Sequence, residues 1–512
     1  MDRRISLYIS LIFIFLLYVA FYYSKEIILF RDHSIIFDGS LRLLRGYKIY
    51  EDFGVPVGPV TFLFFAFLFK LFGVSWYVFQ GAQLVQNAIM FTVIIRIYEQ
   101  AKFSNKEVLL YSAGSLILFL NFYTLPWYNH TAVFFGFLAI LFFLQKRSLS
   151  LFISGIFLGL SLLSKQDIGL IFTGIVLSGV IFETYIDVDL KALFLRKFTF
   201  LILGVLLGIV SIAYYEQGMI YWLNPGNYDY SSKLTSLLTD TINFQTLFGF
   251  VIAIISISRR ELTLFLASTI LIGSGITKLT SGMPLSHFYF VPFIPFIYKF
   301  ISQIRGNLYK YLLLACIFVV ILNPLARAIF SFENLIYDYP EVSAINHRKI
   351  VNHKPIINLG ECIPILSNSY SPKGICRMAE LMDELGMGFK RKIKVINISE
   401  FAALYEDYKF MPIKGFPLWF HENISIPEAL ESKIIDSINQ EEPDLIILQP
   451  IMGAGFLPFI SNLKSILDSD SSRYTVHEIL EEMPASITFT EKDKAMLDAY
   501  IYKKKDIIKH KP

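Results

Sequence analysis

Arg31–Pro59 reads RDHSIIFDGSLRLLRGYKIYEDFGVPVGP. It sets Asp32, Asp38, Glu51 and Asp52 beside Arg31, Arg42, Arg45 and Lys48, in a chain of 512 residues that is 54% hydrophobic and 17% charged. Soluble globular chains carry nearer ~25% charged residues, so the surroundings of this stretch are membrane-like and the stretch itself is not. Just before it runs Ile5–Tyr23, ISLYISLIFIFLLYVAFYY, preceded by Arg3 and Arg4. That run is long for a signal peptide and lacks a small-residue cleavage site, so it reads as a retained helix. The positive-inside tendency then puts the N-terminus in the cytoplasm and the charged stretch outside.

Apolar runs follow near 76–97, 107–124, 128–145, 149–164, 167–184, 198–217, 244–258, 262–277, 284–300 and 309–330. Between them, basic residues fall on alternate loops: Arg96, Lys102 and Lys106, then Lys146 and Arg147, Lys191, Arg196 and Lys197, Arg259 and Arg260, and Lys299, Arg305 and Lys310. The run Val60–Phe72 would rise only ~20 Å as a helix, against a hydrocarbon core of ~30 Å. Counting it as a span inverts the charge alternation. Residues 31–75 therefore read as a first external loop with membrane-surface helices. The fold expected is a polytopic α-helical membrane protein of about eleven transmembrane helices, spanning residues 1–330.

An odd number of spans places residues 331–512 outside as well. There the pattern changes to alternating short strands and amphipathic helices: KIKVINI (392–398), IPEALESKIIDSINQ (426–440), EEPDLIILQP (441–450), SITF (486–489) and AYIYKKK (499–505). This is the signature of a small extracytoplasmic α/β domain with room for a parallel sheet. Cys362 and Cys376 lie in it and can pair if the compartment is oxidising. Cys316 sits in an apolar run, as a small buried hydrophobe would. No spacing of the cysteines demands a metal, although the outer carboxylates could hold a divalent cation. The chain also lacks a Walker motif and the basic face that nucleic-acid binding needs.

Charge near a membrane is expensive and marks function by default. On this topology the polar residues gather on the outer side. Asp32 stands just past helix 1, Asp52 before the GVPVGP turn, and Asn129 with His130 in LPWYNHTAVFF (125–135). Lys165 and Asp167 fill a tight turn, and His287 with Tyr289 open HFYFVPFIP (287–295). A carboxylate there can take a proton from an attacking hydroxyl. A lysine or imidazolium can balance charge on a departing phosphate. Asp32 and Asp52 are thus the catalytic candidates. Lys165, His287, His130, Asn129, Arg42, Arg45 and Tyr289 are the substrate- or phosphate-binding ones. Each has a plainer reading. Asp32 suits a helix-end charge, His130 and His287 hydrogen-bonded interface residues, Asp52 an ordinary turn, Lys165 a local ion pair, and Arg42 and Arg45 partners for their acidic neighbours.

In layout and short motifs, residues 1–330 resemble the polyprenol-phosphate-dependent glycosyltransferases of the GT-C superfamily. The likeness is to the relatives of protein O-mannosyltransferases and of the aminoarabinose transferase that modifies lipid A. Asp32 matches the acidic residue that opens the family's first external loop, and GYKIYEDFGVPVGPVTFLFFAFLFKLFG (46–73) its membrane-surface helix. GIFLGLSLLSKQDIG (155–169) is similar to the turn that brings a lysine to the lipid phosphate, and HFYFVPFIP to the aromatic-proline helix start. At the start of helix 4 the family carries a second acidic residue. Here Asn129 or His130 stands there, leaving Asp52 as its substitute. The resemblance implies inverting transfer of a sugar from a polyprenyl-phosphate donor to a lipid, glycan or protein acceptor, on the outer face of a bacterial inner membrane. It also implies that Asp32, Lys165 and His287 share one outward pocket.

Other readings remain. A transporter or flippase for lipid-linked saccharides would show polar residues at mid-membrane and two pseudo-symmetric halves. Neither is visible. A ligase or polymerase would differ in using a diphosphate-linked donor. A binding module on a membrane anchor would not need so many apolar runs.

Overall fold

In the computed structural model the described residues are 3–22, 27–28, 31–55, 57–120, 126–186, 190–216, 244–281, 288–304, 307–336, 356–367, 369–372, 374–386, 393–399, 411–418, 428–449, 457–480 and 499–505. They fall into two units that do not follow the chain. The first holds residues 1–24, 82–215 and 231–333, and the second holds 25–81, 216–230 and 334–512.

The first unit is helical. It is built from α1 (Arg3–Tyr22), most of α4 (Trp76–Gln100), α5 (Asn105–Leu118), α6 (Tyr128–Leu144), α7 (Ser148–Leu162), α8 (Gln166–Ile186), α9 (Leu190–Glu216), α10 (Phe244–Arg259), α11 (Leu262–Ser281), α12 (Ile294–Ser302) and α13 (Asn307–Ile336). The second unit contains α2 (Arg31–Leu44) and α3 (Val60–Phe72). Helix positions follow the apolar runs closely. Among the described residues, Trp76–Gln100, Gln166–Ile186 and Asn307–Ala326 are long and apolar enough to cross a membrane. Eight further apolar helices have 10–17 residues. Three of these lie inside longer helices: α1, α9 and α11 run to 20, 27 and 20 residues, about the length a crossing needs. The expected helix over 284–300 is broken. Phe288–Phe293 forms a 3-10 turn containing Pro292, and α12 starts with Pro295 in its first turn. A proline ring that cannot donate explains the change of winding.

Helices of the first unit meet through small residues. A Cβ on Gly155 would run into the Leu201 carbonyl and lie 2.9 Å from Gly204 Cα. One on Gly159 would lie 2.9 Å from Val205 O and 3.0 Å from Gly208 Cα. GIFLG of α7 thus crosses GVLLG of α9 with the backbones in contact, the GxxxG arrangement of membrane helices. Hydroxyls satisfy carbonyls across the packing: Ser154 Oγ donates to Ala139 O and Ser161 Oγ to Ala132 O, each at 2.8 Å. The exception in polarity is Glu183 on α8, nearly buried between Lys197 at 2.8 Å and Lys146 at 2.9 Å. Cys316, on α13, is half-buried rather than fully enclosed.

The second unit joins the charged first loop to the polar tail. Its tail elements are β3 (Ile356–Asn358), β4 (Ser369–Pro372), α14 (Gly374–Gly386), β5 (Lys394–Ile398), β6 (Met411–Pro412), β7 (Phe416–Pro417), α15 (Glu428–Glu441), β8 (Leu445–Leu448), α16 (Leu457–Ser469), β9 (Tyr474–Leu480) and β10 (Ala499–Lys504). Strands expected at KIKVINI, LIIL and AYIYKKK are present, as is the helix over 428–441; SITF lies outside the described residues. The main sheet is mixed, in the order β6-β5-β8-β10-β9. β6, β5 and β8 run parallel, and β10 is antiparallel to both β8 and β9. Its apolar face packs Ile396, Ile398, Ile446 and Leu448 against Ile434 and Ile438 of α15 and Leu463 of α16. Cys362 and Cys376 are joined, with Cα atoms 5.4 Å apart.

Two short strands of the loop complete sheets with the tail. β1 (Ile27–Ile28) pairs in parallel with β4, and β2 (Phe53–Gly54) with β7. α3 packs Phe69 onto Phe37 of α2, centroids 5.1 Å apart, and leaves Phe64, Phe67, Leu71 and Phe72 exposed.

Candidate functional site

The candidates lie as two groups, one in each unit. In the second unit, Asp32 is the second residue of α2, so it opens a new helix rather than ending α1, which stops at Tyr22. The intervening β1 explains the correction: the chain leaves the first helix, pairs with the tail, and only then coils again. The Asp32 side chain lies outside the described residues.

The polar centre of α2 is instead Asp38 with Arg42, one turn apart and both buried. Arg42 Nε donates to Asp38 Oδ2 at 3.0 Å and Nη2 lies 2.9 Å from the same oxygen. Burial pushes the Asp38 carboxyl up to about 6 against the pull of Arg42. The guanidinium also sits over the ring of Phe53, 5.6 Å from its centroid, a cation–π contact. Of the two readings open for Arg42, the acidic neighbour is therefore realised. Arg45, one turn on, is exposed, and its charge acts on Asp38 as well.

Asp52 is held from two sides. Lys48 N–H donates to its Oδ2 at 2.8 Å, and Lys414 Nζ, from the tail, lies 2.6 Å from its Oδ1. Burial alone would raise this carboxyl. The two donors outweigh it and hold the group below the usual carboxylate range.

In the first unit, Asn129 and His130 are buried in the first turn of α6, and the His130 ring meets Trp127 edge-on at 5.2 Å. Lys165 occupies the turn between α7 and α8. Its N–H donates to Ser161 O at 3.0 Å, and its carbonyl accepts from Gly169 N–H at 2.9 Å. The turn needs glycine at 169, because a Cβ there would strike the Leu162 backbone. The Lys165 side chain is 13% exposed, with Nζ 3.7 Å from Asp167 Oδ2 and 5.6 Å from the centroid of the Tyr128 ring. Tyr289 is fully buried, its ring 5.1 Å from Phe172 and its hydroxyl 2.8 Å from Thr277 Oγ1. It lies near Asp167. The first unit thus collects Lys165, Asp167, Tyr128, Asn129, His130 and Tyr289 from the starts of α6 and α8 and the 3-10 turn. His287 lies outside the described residues.

No family model matches the chain, and no curated protein does. Solved structures that it is similar to include two crystal structures of ArnT from Cupriavidus metallidurans. The one bound to undecaprenyl phosphate has a TM-score of 0.48 at 8% identity, covering 97% of this chain and 97% of that one. The apo form has a TM-score of 0.49 at 9% identity, covering 95% and 97%. At that likeness neither residue roles nor chemistry transfer.

Asp38 and Lys414 are the participants that sequence reasoning missed. Asp38 was detectable: Ser34, Asp38 and Arg42 recur every four residues, a polar stripe visible once Arg31–Leu44 is read as a helix. Lys414 carries no such signal. Among the described residues, no three His, Cys, Asp or Glu side chains gather as a metal site would.

Proposed function

We propose that this chain is an integral-membrane glycosyltransferase that moves a sugar from a polyprenyl-phosphate donor to an acceptor hydroxyl or amide on the extracytoplasmic face. The reading rests on the motif order of residues 1–330, and one observation carries it into structure. Lys165, seven-eighths buried, is held at the start of the apolar α8, against an aromatic ring and within a turn that admits only glycine at 169. An ammonium kept at the end of apolar helices suits a lipid phosphate, whose isoprenoid chain would lie along the helices with its charge at headgroup level.

In this reading Asp32 is the general base. It takes the acceptor's proton as the acceptor oxygen or nitrogen attacks the anomeric carbon. The carbon–oxygen bond to phosphate breaks, and the phosphate leaves with the electron pair. Lys165 balances that charge. Asn129 and His130, in the first turn of α6, are assigned to sugar hydroxyls, with His287 and the exposed Arg45 as further phosphate contacts. Tyr289 supports the Lys165 turn from beneath, through Thr277 and Phe172. Asp52, kept ionised by Lys414 and Lys48, contributes fixed negative charge and loop geometry rather than proton transfer. A Cys362–Cys376 bridge fits an oxidising compartment outside a plasma (inner) membrane, with the N-terminus cytoplasmic.

The test is Asp32→Asn in purified, correctly inserted protein supplied with a polyprenyl-phosphate sugar. Turnover should fall by about 10²–10⁴, the usual contribution of a general base, with donor binding retained. Near-normal turnover would remove Asp32 from the mechanism.

A further inference from the structure

The turn Ile413–Gly415 between β6 and β7 reaches from the tail to the loop and fastens it at several atoms. Lys414 Nζ meets Asp52 Oδ1 at 2.6 Å. Gly415 N–H donates to Asp52 O and Leu418 N–H to Gly54 O, both at 2.8 Å, flanking the parallel register Phe53↔Phe416 and Gly54↔Pro417. Gly415, at φ +80°, takes the left-handed conformation that lets the turn close. On the loop side, Tyr50 is also at positive φ, and its N–H donates to Phe53 O at 2.7 Å. Asp52 N–H donates to Lys48 O while the Asp52 carboxylate accepts from Lys48 N–H, each at 2.8 Å. Lys48–Phe53 is therefore a tight, left-handed turn whose central carboxylate is tied locally by one oxygen and to the tail by the other.

This turn leads into the core of the loop. Phe53 is buried beneath the Arg42 guanidinium, which is paired with Asp38. Leu418, next along from β7, lies so close to Gly39 of α2 that a Cβ there would come within 2.8 Å of its Cδ2. A two-residue strand pair is weak by itself. An ammonium on a carboxylate that is nearly buried adds a charge-assisted bond where the backbone pairing is shortest. The Lys414 side chain is itself 70% exposed and, besides Asp52, stands only over the edge of the loop at the Tyr47 ring, 6.0 Å from its centroid, so its replacement removes contacts to the loop and leaves the core intact.

We propose that Lys414 is a positioning residue for the transfer reaction: by holding Asp52, it sets the turn Lys48–Gly54 and, through Phe53, the Arg42–Asp38 pair of α2, so that the tail domain fixes the working conformation of the first external loop. The inference rests on the proposed function above for its kinetic consequence alone. The holding action itself is independent of any substrate.

The experiment compares full-length wild type with Lys414→Met, Lys414→Glu and Lys414→Arg, and with the exchanged pair Asp52→Lys/Lys414→Asp. Amide hydrogen exchange over 48–57 and steady-state transfer from a polyprenyl-phosphate sugar are measured on each. Lys414→Met should speed exchange at Gly54 and Val55 by about tenfold and lower kcat by a similar factor, with donor KM little changed. Lys414→Glu should do more of both, Lys414→Arg should restore both, and the exchanged pair should recover part of the protection, because it restores the ion pair to the tail but loses the carboxylate that Lys48 N–H donates to. Unchanged exchange in Met and Glu overturns the proposal, as does faster exchange with kcat intact. A wild type that transfers nothing counts against the proposed function alone, and the exchange contrast among the variants still decides whether Lys414 holds the loop.

Discussion

The two units solve the same problem, that of satisfying the backbone, by opposite means. In the helical unit the helices satisfy most of their own backbone, as a segment in lipid must, with interruptions at Pro292 and Pro324. Contact between helices then comes from shape: glycine against glycine at Gly155 and Gly204, and hydroxyls returned to carbonyls at Ser154 and Ser161. The loop-and-tail unit has short strands whose groups must be met by chain hundreds of residues away. There β1 needs β4, β2 needs β7, and the Lys414–Asp52 pair marks the second join. A steric change should therefore damage the first unit most. The second should respond to charge, oxidation state and pH.

The largest effect expected is in the helical unit. Gly155→Leu or Gly204→Leu drives a side chain into the facing backbone, and the loss should reach about 3 kcal/mol, the upper end for overpacking. Reversible unfolding in detergent would measure it, and equal loss from Gly114→Leu, where a Cβ would meet nothing within 4 Å, would break the contrast. Next, Cys362→Ser/Cys376→Ser should destabilise the tail by about 3 kcal/mol, the figure for a closed loop of this size, while thermal unfolding of the helices stays put. Third, Lys165→Ala should raise the donor KM about 10- to 100-fold, the worth of one charge-assisted contact, with little effect on acceptor KM. Titration of phosphate-headed lipid against the variant checks this.

The smallest expected effect is a pH response confined to the loop. Asp38 titrates at about 6 when folded, above its unfolded value. A raised carboxyl costs stability when ionised, so stability of the second unit should increase as pH falls from about 6 toward 4. Asp52 has the opposite sign. Its folded value is depressed, so its contribution is present above the ordinary carboxylate range and is lost only as pH falls below it. Asp38→Asn should flatten the first change and leave the second; stability curves of the tail's exchange-protected amides would separate them.

Much of the helical unit was legible because apolar runs and their boundaries are local signals. The Lys165 turn and the start of α6 fall where the pattern puts them, and so do the strands at 394–398 and 445–448. What escaped was either disguised or distant. Arg31–Leu44 forms a helix although its charges and Gly39 read as loop, so Asp32 was set at the end of the wrong helix and Asp38 was passed over. The 3-10 turn at Pro292 interrupts a run that hydropathy alone joins. Lys414 meets Asp52 across 362 residues of chain, and neither side carries a mark of the other.

The central claim is that the chain makes a bond, using a lipid monophosphate as leaving group. Purified protein in sealed liposomes, given a polyprenyl-monophosphate sugar labelled in the sugar and a mixed acceptor extract, should release polyprenyl phosphate in step with labelled product. The matching diphosphate donor should give little. Label that crosses the bilayer with the donor intact, or turnover only with the diphosphate, would contradict it.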